Sequence, residues 1–301
     1  MAIEFPIAEE RRRREAIARD EWVVGSQRAK KRWRILLWLL PAVAAVVGAV
    51  FAVFLFVIPS LYYSSAEKKL NAERFEAAYV DFRMAGDFRD STARADAILE
   101  AHPAVAQPGD TVVFGRYEQD NSKENGADPI VWTVLAKDGN NALLISANCL
   151  DCKPYNTEFT TQVWETCTLR KWLNEDFFKA AFTADEQKSI LTVPVQNPVN
   201  PQYNIPAGGE TADKVFVLSL DEAQRYFKND DARKGPLTKY ITEGGIMQTP
   251  LTEARWWLRT PGSTDTFAAY VNVDGTLFTF GEYVHSTLVG VRPCISLTLP
   301  E

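Results

Sequence analysis

Residues 35–58 form a run of 24 residues without one charged side chain. A bilayer core of ~30 Å needs about 20 helical residues, and no soluble core helix needs an apolar surface of that length on every face. Pro41 falls in the second turn, where it bends a spanning helix without breaking it. Trp33 and Trp38 stand at one end and Tyr62 and Tyr63 at the other, as an interfacial aromatic belt requires. A cleaved signal peptide fits poorly: the apolar run is too long, the basic region before it exceeds thirty residues, and Pro59-Ser-Leu-Tyr-Tyr63 offers no small-x-small site. The reading is an uncleaved single-pass anchor.

Charge divides at this run. Residues 1–34 carry ten Lys/Arg against six Asp/Glu, and residues 59–301 carry 23 against 33, a net −10. Arg28, Lys30, Lys31, Arg32 and Arg34 crowd the N-terminal flank, so the positive-inside rule predicts a cytoplasmic basic tail and an extracytoplasmic body. The expected partner of the run is the lipid bilayer of the cell membrane. A body at −10 is no nucleic-acid ligand surface. The predicted organisation is a tail at 1–34, a transmembrane helix at 35–58, a helical stalk at 60–103 and an extracytoplasmic domain at 109–301.

Ala66, Leu70, Phe75, Ala78, Tyr79, Phe82 and Ala85 recur at spacings of three to five, which predicts amphipathic helices in the stalk, with a break at Gly86-Asp87. The stretch from Leu70 to Ser91 resembles a degenerate tetratricopeptide unit, and a little over one repeat is covered. After Gly109 the period changes to two. Residues 111–117, 130–135 and 142–146 read as strands, as do 215–218 and 255–259. Residues 267–280 read as a hairpin turning at Asp274-Gly275, and 289–299 as the closing strand. Thr183 with Glu186 and Ser219 with Glu222 are capping boxes that start helices. Strands at both ends with helices between give an α+β domain with mostly antiparallel strands.

The phrases Val112-Val-Phe-Gly-Arg-Tyr117, Trp164-Glu-Thr-Cys-Thr-Leu-Arg170, Trp256-Trp-Leu-Arg-Thr-Pro-Gly262, Ala269-Tyr-Val-Asn-Val-Asp-Gly275 and Gly290-Val-Arg-Pro293 resemble an uncharacterised domain family of Gram-positive surface and lipid-anchored proteins, over about residues 109–299. The family implies no established activity. The closing pattern of a Trp-rich strand, a hairpin and Gly-x-Arg is distantly similar to the formylglycine-generating-enzyme and C-type-lectin-like fold, and fold does not give function.

Four cysteines, Cys149, Cys152, Cys167 and Cys294, lie on the predicted outer side, where disulfides persist. Three pairings are possible. Cys152 and Cys167 sit in family-like phrases and are paired on that ground, which leaves Cys149 with Cys294. Alternation in the strand at 255–259 puts Trp257 and Arg259 on one face and Trp256 and Leu258 on the other. Leu258 is the better core residue, so Trp257 and Arg259 are expected at a ligand surface. Tyr155 and Asn156 in a loop, and Asn272 and Asp274 at the hairpin end, complete an expected aromatic and hydrogen-bonding set suited to a glycan or peptide. Arg292 is expected to be a buried structural arginine. No metal or cofactor is called for. The turn at 120–126 loosely resembles a calcium loop and is read as a turn, with calcium left open. The predicted function is non-catalytic recognition. The alternatives are a hydrolase, a cysteine oxidase of the formylglycine-generating type, or an envelope assembly partner acting through the stalk.

Overall fold

The computed structural model describes residues 5–122, 124–247 and 252–300. It divides into two compact units, Met1–Ala95 and Asp96–Glu301. In the first, α1 (Phe5–Ala52), a π-helical turn at Val53–Val57 and α2 (Ile58–Asn71) run on without interruption. This is one helix long and apolar enough to cross a membrane. In the π turn the Ile58 N–H reaches back to Val53 O, and the widened turn accommodates Pro59 at the start of α2. α3 (Phe75–Ala85) packs on α2 through Tyr63, Ala66, Ala78, Tyr79, Phe82 and Ala85, all buried. Tyr63 and Phe82 meet edge to face at 5.6 Å. Gly86 ends α3 with φ +59°, at the break that Gly86-Asp87 predicts. α4 (Ser91–Ala101) begins in this unit, and its residues from Asp96 on belong to the second.

In the second unit β1 (Thr111–Tyr117), β2 (Asp128–Asp138) and β3 (Asn141–Ser146) form an antiparallel meander at the three strands read from the alternation. β4 (Asp151–Cys152), α5 (Thr168–Trp172), α6 (Phe178–Ala181) and α7 (Glu186–Ser189) lead to β5 (Ile190–Leu191). Both capping boxes are present. Thr183 N–H donates to Glu186 at 2.7 Å before α7, and Ser219 and Glu222 exchange bonds. The middle of the chain supplies β6 (Val193–Val195), β7 (Thr211–Asp213), β8 (Val215–Phe216), α8 (Leu220–Tyr226), α9 (Asp230–Arg233), β9 (Gly235–Pro236) and α10 (Lys239–Thr242). β10 (Glu253–Ala254), β11 (Trp256–Pro261), β12 (Phe267–Val271), β13 (Leu277–Tyr283), β14 (Gly290–Val291) and β15 (Cys294–Thr298) complete it.

Two sheets carry the unit. One runs β1-β2-β3-β15-β5, with β8 also on β15, and the other runs β13-β12-β11-β14-β4. Both are antiparallel except for the β11–β14 pair. The closing strand expected over 289–299 is therefore two strands in two sheets. The chain crosses between them at Arg292-Pro293. Pro293 has no N–H for a ladder, and the buried Arg292 donates to Ser146 O at 2.8 Å and to the carbonyls of Arg233 and Lys234 at 3.1 Å. It lies over the Trp256 ring at 5.3 Å, in the structural role the sequence assigns it. Trp132, Trp164, Trp256 and Trp257 are fully buried in the core between these elements.

Candidate functional site

The ligand set expected from the sequence does not form a surface. Trp257 is as buried as Trp256, with no exposed area on either ring. The Trp257 indole donates to Lys153 O at 2.8 Å and packs edge to face on Tyr155 at 5.8 Å. Alternation does place the two indoles on opposite faces, but both faces of β11 are covered. Arg259 is buried too. It pairs with Glu222, Nη2 to Oε1 at 2.7 Å, and donates to Gln196 O and Val217 O at 2.8 Å each. Glu222, the capping-box acid of α8, thus also neutralises the buried guanidinium. Tyr155 is buried with its hydroxyl on Arg259 O at 2.9 Å. Asn156 is buried and accepts from the Thr168 N–H at 3.2 Å, fastening its loop to α5. These four are framework. Asn272 is half-buried, and its carbonyl accepts the Gly275 N–H at 2.9 Å. Asp274 is exposed and accepts from both the N–H and the hydroxyl of Thr276, which hold its carboxyl below the ordinary value.

The expected disulfides are also corrected: Cys149, Cys152, Cys167 and Cys294 are all free and buried. No two of these sulfurs are bonded to each other. Cys149 sits in a slot between Gly235 and Gly290, where an added Cβ would come within 2.9 Å of its Sγ at either glycine. Cys152 lies on β4 opposite Gly290. The Cys167 Sγ caps α5 by accepting the Arg170 N–H at 3.4 Å. Cys294 stands on β15 between Ile145 and Phe216. Burial pushes the thiols of Cys149 and Cys167 up to about 12 and raises the other two.

Sequence reasoning missed an exposed aromatic face along β13, the edge strand of the second sheet. Phe278, Phe280 and Tyr283 are 41, 49 and 46 % exposed, and Phe159, from the loop after β4, is 55 % exposed. The rings form a continuous chain. Phe159 meets His285 at 5.0 Å and Tyr283 at 5.6 Å, Tyr283 meets Phe267 at 4.4 Å, and Phe267 meets Phe280 at 5.5 Å. Phe280 touches Phe278 and Tyr203 at 6.4 and 6.2 Å. A bulge aims these rings. Thr279, Phe280 and Gly281 stand opposite the single residue Ala269, and Gly281 takes φ +89°. A Cβ there would lie 2.6 Å from Ala268 O. Polar groups border the rings. Buried Asn200 donates to Pro261 O and Thr279 O at 2.8 Å each, and the Thr279 hydroxyl donates to Gln202 at 2.6 Å, so the loop around 200 is pinned to β13. The legible signal was Phe278-x-Phe280, two aromatic residues at alternate positions of the second hairpin arm.

An oxygen-rich group lies at the far end of β1. Carboxylate oxygens of Glu118, Asp120 and Asp128 fall within 4.8 Å of one another, a donor set of the kind calcium takes. Asp128 accepts the N–H groups of Gln119 and Asp120 at 2.9 Å each. Asp120 accepts from Ser122 N–H at 2.8 Å and Asn125 at 2.7 Å. The carboxylates of Asp120 and Asp128 hold the turn that the sequence predicts here. Nearby, buried Asp151 accepts from the Tyr117 hydroxyl at 2.7 Å and faces the Lys153 ammonium at 3.3 Å. Burial, then the Asp151 charge, raises the phenol.

A family model described as a domain of unknown function (DUF6273) matches residues 139–299, more than half of the chain. The matched segment is shorter than the 109–299 expected from the sequence phrases and begins just after β2. No curated protein and no solved structure matches the chain.

Proposed function

The chain belongs to this family of unknown function, and from that premise we propose that it is a membrane-anchored extracytoplasmic recognition module whose aromatic β13 face binds a glycan of the cell envelope or surroundings. The observation that carries the reading is the contiguous exposed run of Tyr283, Phe280 and Phe278 on the edge strand β13, joined through Phe267 and extended by Phe159 from the loop after β4. Sugar rings present apolar C–H faces that stack on aromatic rings, while their hydroxyls need adjacent donors and acceptors. Gln202 and Thr279 stand at the border of the rings. Scattered exposed apolar residues are ordinary, whereas a contiguous patch marks an interaction site.

The anchor belongs to the same proposal. The uncharged helix and the basic flank at 28–34 support a single crossing with the tail in the cytoplasm. A C-type-lectin-like relationship is supported by the early and last strands sharing one sheet, where β3 pairs with β15. The placement among Gram-positive surface proteins rests on the sequence phrases.

The test is a glycan array that includes chitin and peptidoglycan oligosaccharides, probed with the full chain in detergent. Binding is expected, and Phe278→Ser with Phe280→Ser should weaken it at least tenfold with little change in thermal unfolding. Retained binding by that variant, or no glycan bound at all, overturns the reading.

A further inference from the structure

The first sheet curls so that its two ends approach each other without pairing. Thr111–Phe114 of β1 line one wall of a cleft of about 780 Å³, and Ser189 with residues 297–300 line the other. α4 supplies the third side. Asp96, Leu99 and Glu100, with Pro103 just beyond the helix, lie three or four residues apart and so share one face. The floor is apolar. The Asp96 and Glu100 carboxylates are exposed, and neither forms an ion pair among the described residues.

β1 has a strand neighbour on one side only. Its ladder shows which backbone groups are free. The Val134 N–H donates to Asp110 O at 2.9 Å, so Asp110 faces β2, as does Val112 two residues on. The carbonyl of Val131, opposite Val113, is turned toward β3 and accepts the Ala147 N–H at 2.8 Å. Thr111 and Val113 therefore direct their N–H and C=O groups to the open edge. The next outward residue, Gly115, already donates its N–H to Glu186 at 3.3 Å. At the other end Ala104 N–H bonds to Pro300 O at 3.0 Å. The open edge is thus a short slot, closed at both ends, with four backbone groups presented between an apolar floor and two carboxylates.

We propose that this slot receives a cationic peptide in extended conformation. The peptide adds as a strand to β1, lays apolar side chains on the half-buried Leu99, Pro103 and Phe114, and sets a lysine or arginine against Asp96 and Glu100. An acyl chain would leave the outward groups of Thr111 and Val113 without partners, and a fatty-acid carboxylate would meet two like charges. A second copy of the chain would bring a second acidic rim to the first. The slot is separate from the β13 face, and β1 precedes the segment matched by the family model.

The probe is a fluorescent peptide of alternating valine and threonine with a lysine at each end, titrated against the full chain in detergent. Saturable binding is expected, and a glutamate-ended version should bind at least tenfold more weakly. Asp96→Lys with Glu100→Lys should reverse that preference. Thr111→Pro removes one outward N–H at the first residue of an edge strand, where proline is tolerated, and should lower affinity at least tenfold. Should that variant unfold, N-methylation of alternate valines in the probe removes the same ladder bonds from the ligand side, and binding should be lost. Equal binding of both peptides, indifference to N-methylation, displacement of the peptide by palmitate, or dimerisation through the slot in place of peptide binding each overturns the proposal.

Discussion

Trp256 and Trp257 are neighbours in β11 and neither ring reaches solvent. Each donates its indole N–H to a backbone carbonyl, of Arg233 at 3.0 Å and of Lys153 at 2.8 Å. Trp256→Ala and Trp257→Ala should therefore each cost ~3–5 kcal/mol and each unfold a marginal domain, as thermal unfolding will show. Survival of Trp257→Ala with unchanged melting would return that ring to a surface role. The cysteines give a second prediction at this scale. Native protein isolated from its own compartment should react negligibly with a thiol reagent and release four thiols in denaturant. Peptide mapping that links Cys152 to Cys167 would reverse this assignment. The sequence put Trp257 and Arg259 at a surface because one-strand alternation assigns one face to solvent, and Tyr155 and Asn156 there because they lie in a loop. It carries no information on whether a second layer covers that face, and here one does.

At the scale of elements, β13 is an edge strand whose bulge depends on one glycine. Gly281→Ala must hold a Cβ against Ala268 O at φ +89°, and strain of this kind costs about 1–3 kcal/mol. The variant should melt several degrees lower and bind the array-identified glycan more weakly, because the bulge sets the spacing of Phe280 and Tyr283. Unchanged melting and binding would mean that the bulge does not position the rings. Local signals were reliable for elements of this kind. The β1–β3 meander, both capping boxes and the Asp274-Gly275 hairpin were legible because each is decided within a few residues by periodicity, capping or turn chemistry. The division of 289–299 between two sheets was not, since a two-residue crossing leaves the apolar pattern unbroken.

For the whole molecule, the buried thiols and phenols predict alkaline lability. Cys149, Cys152, Cys167, Cys294, Tyr117 and Tyr155 all have raised folded values, with desolvation as the first cause. A group raised on folding contributes fully below its unfolded value, and the contribution is lost as pH rises. For thiols the loss begins near pH ~8.5, at roughly 1.4 kcal/mol per thiol per pH unit. Denaturant midpoints should fall steeply between about pH 9 and 11, and Cys149→Ala with Cys294→Ala should flatten the slope. A flat profile in the parent chain would show that these thiols do not titrate, as in a disulfide. Topology is tested on spheroplasts: added protease should digest residues 59–301 and spare the basic tail, and the opposite pattern would invert the orientation.

The sequence by itself determined the apolar helix, the charge difference across it, the α+β class and the family resemblance, because run length, net charge and periodicity are sums over neighbouring residues. Only the tertiary structure decided which aromatic residues are core and which form a surface, that the four thiols are free and buried, and that the β1 edge opens onto an acidic cleft. Those facts depend on which sheet covers which, and on strands far apart in the chain approaching without pairing. They arise from packing between residues more than a hundred positions apart, such as Tyr155 on Arg259 and Arg292 on Ser146.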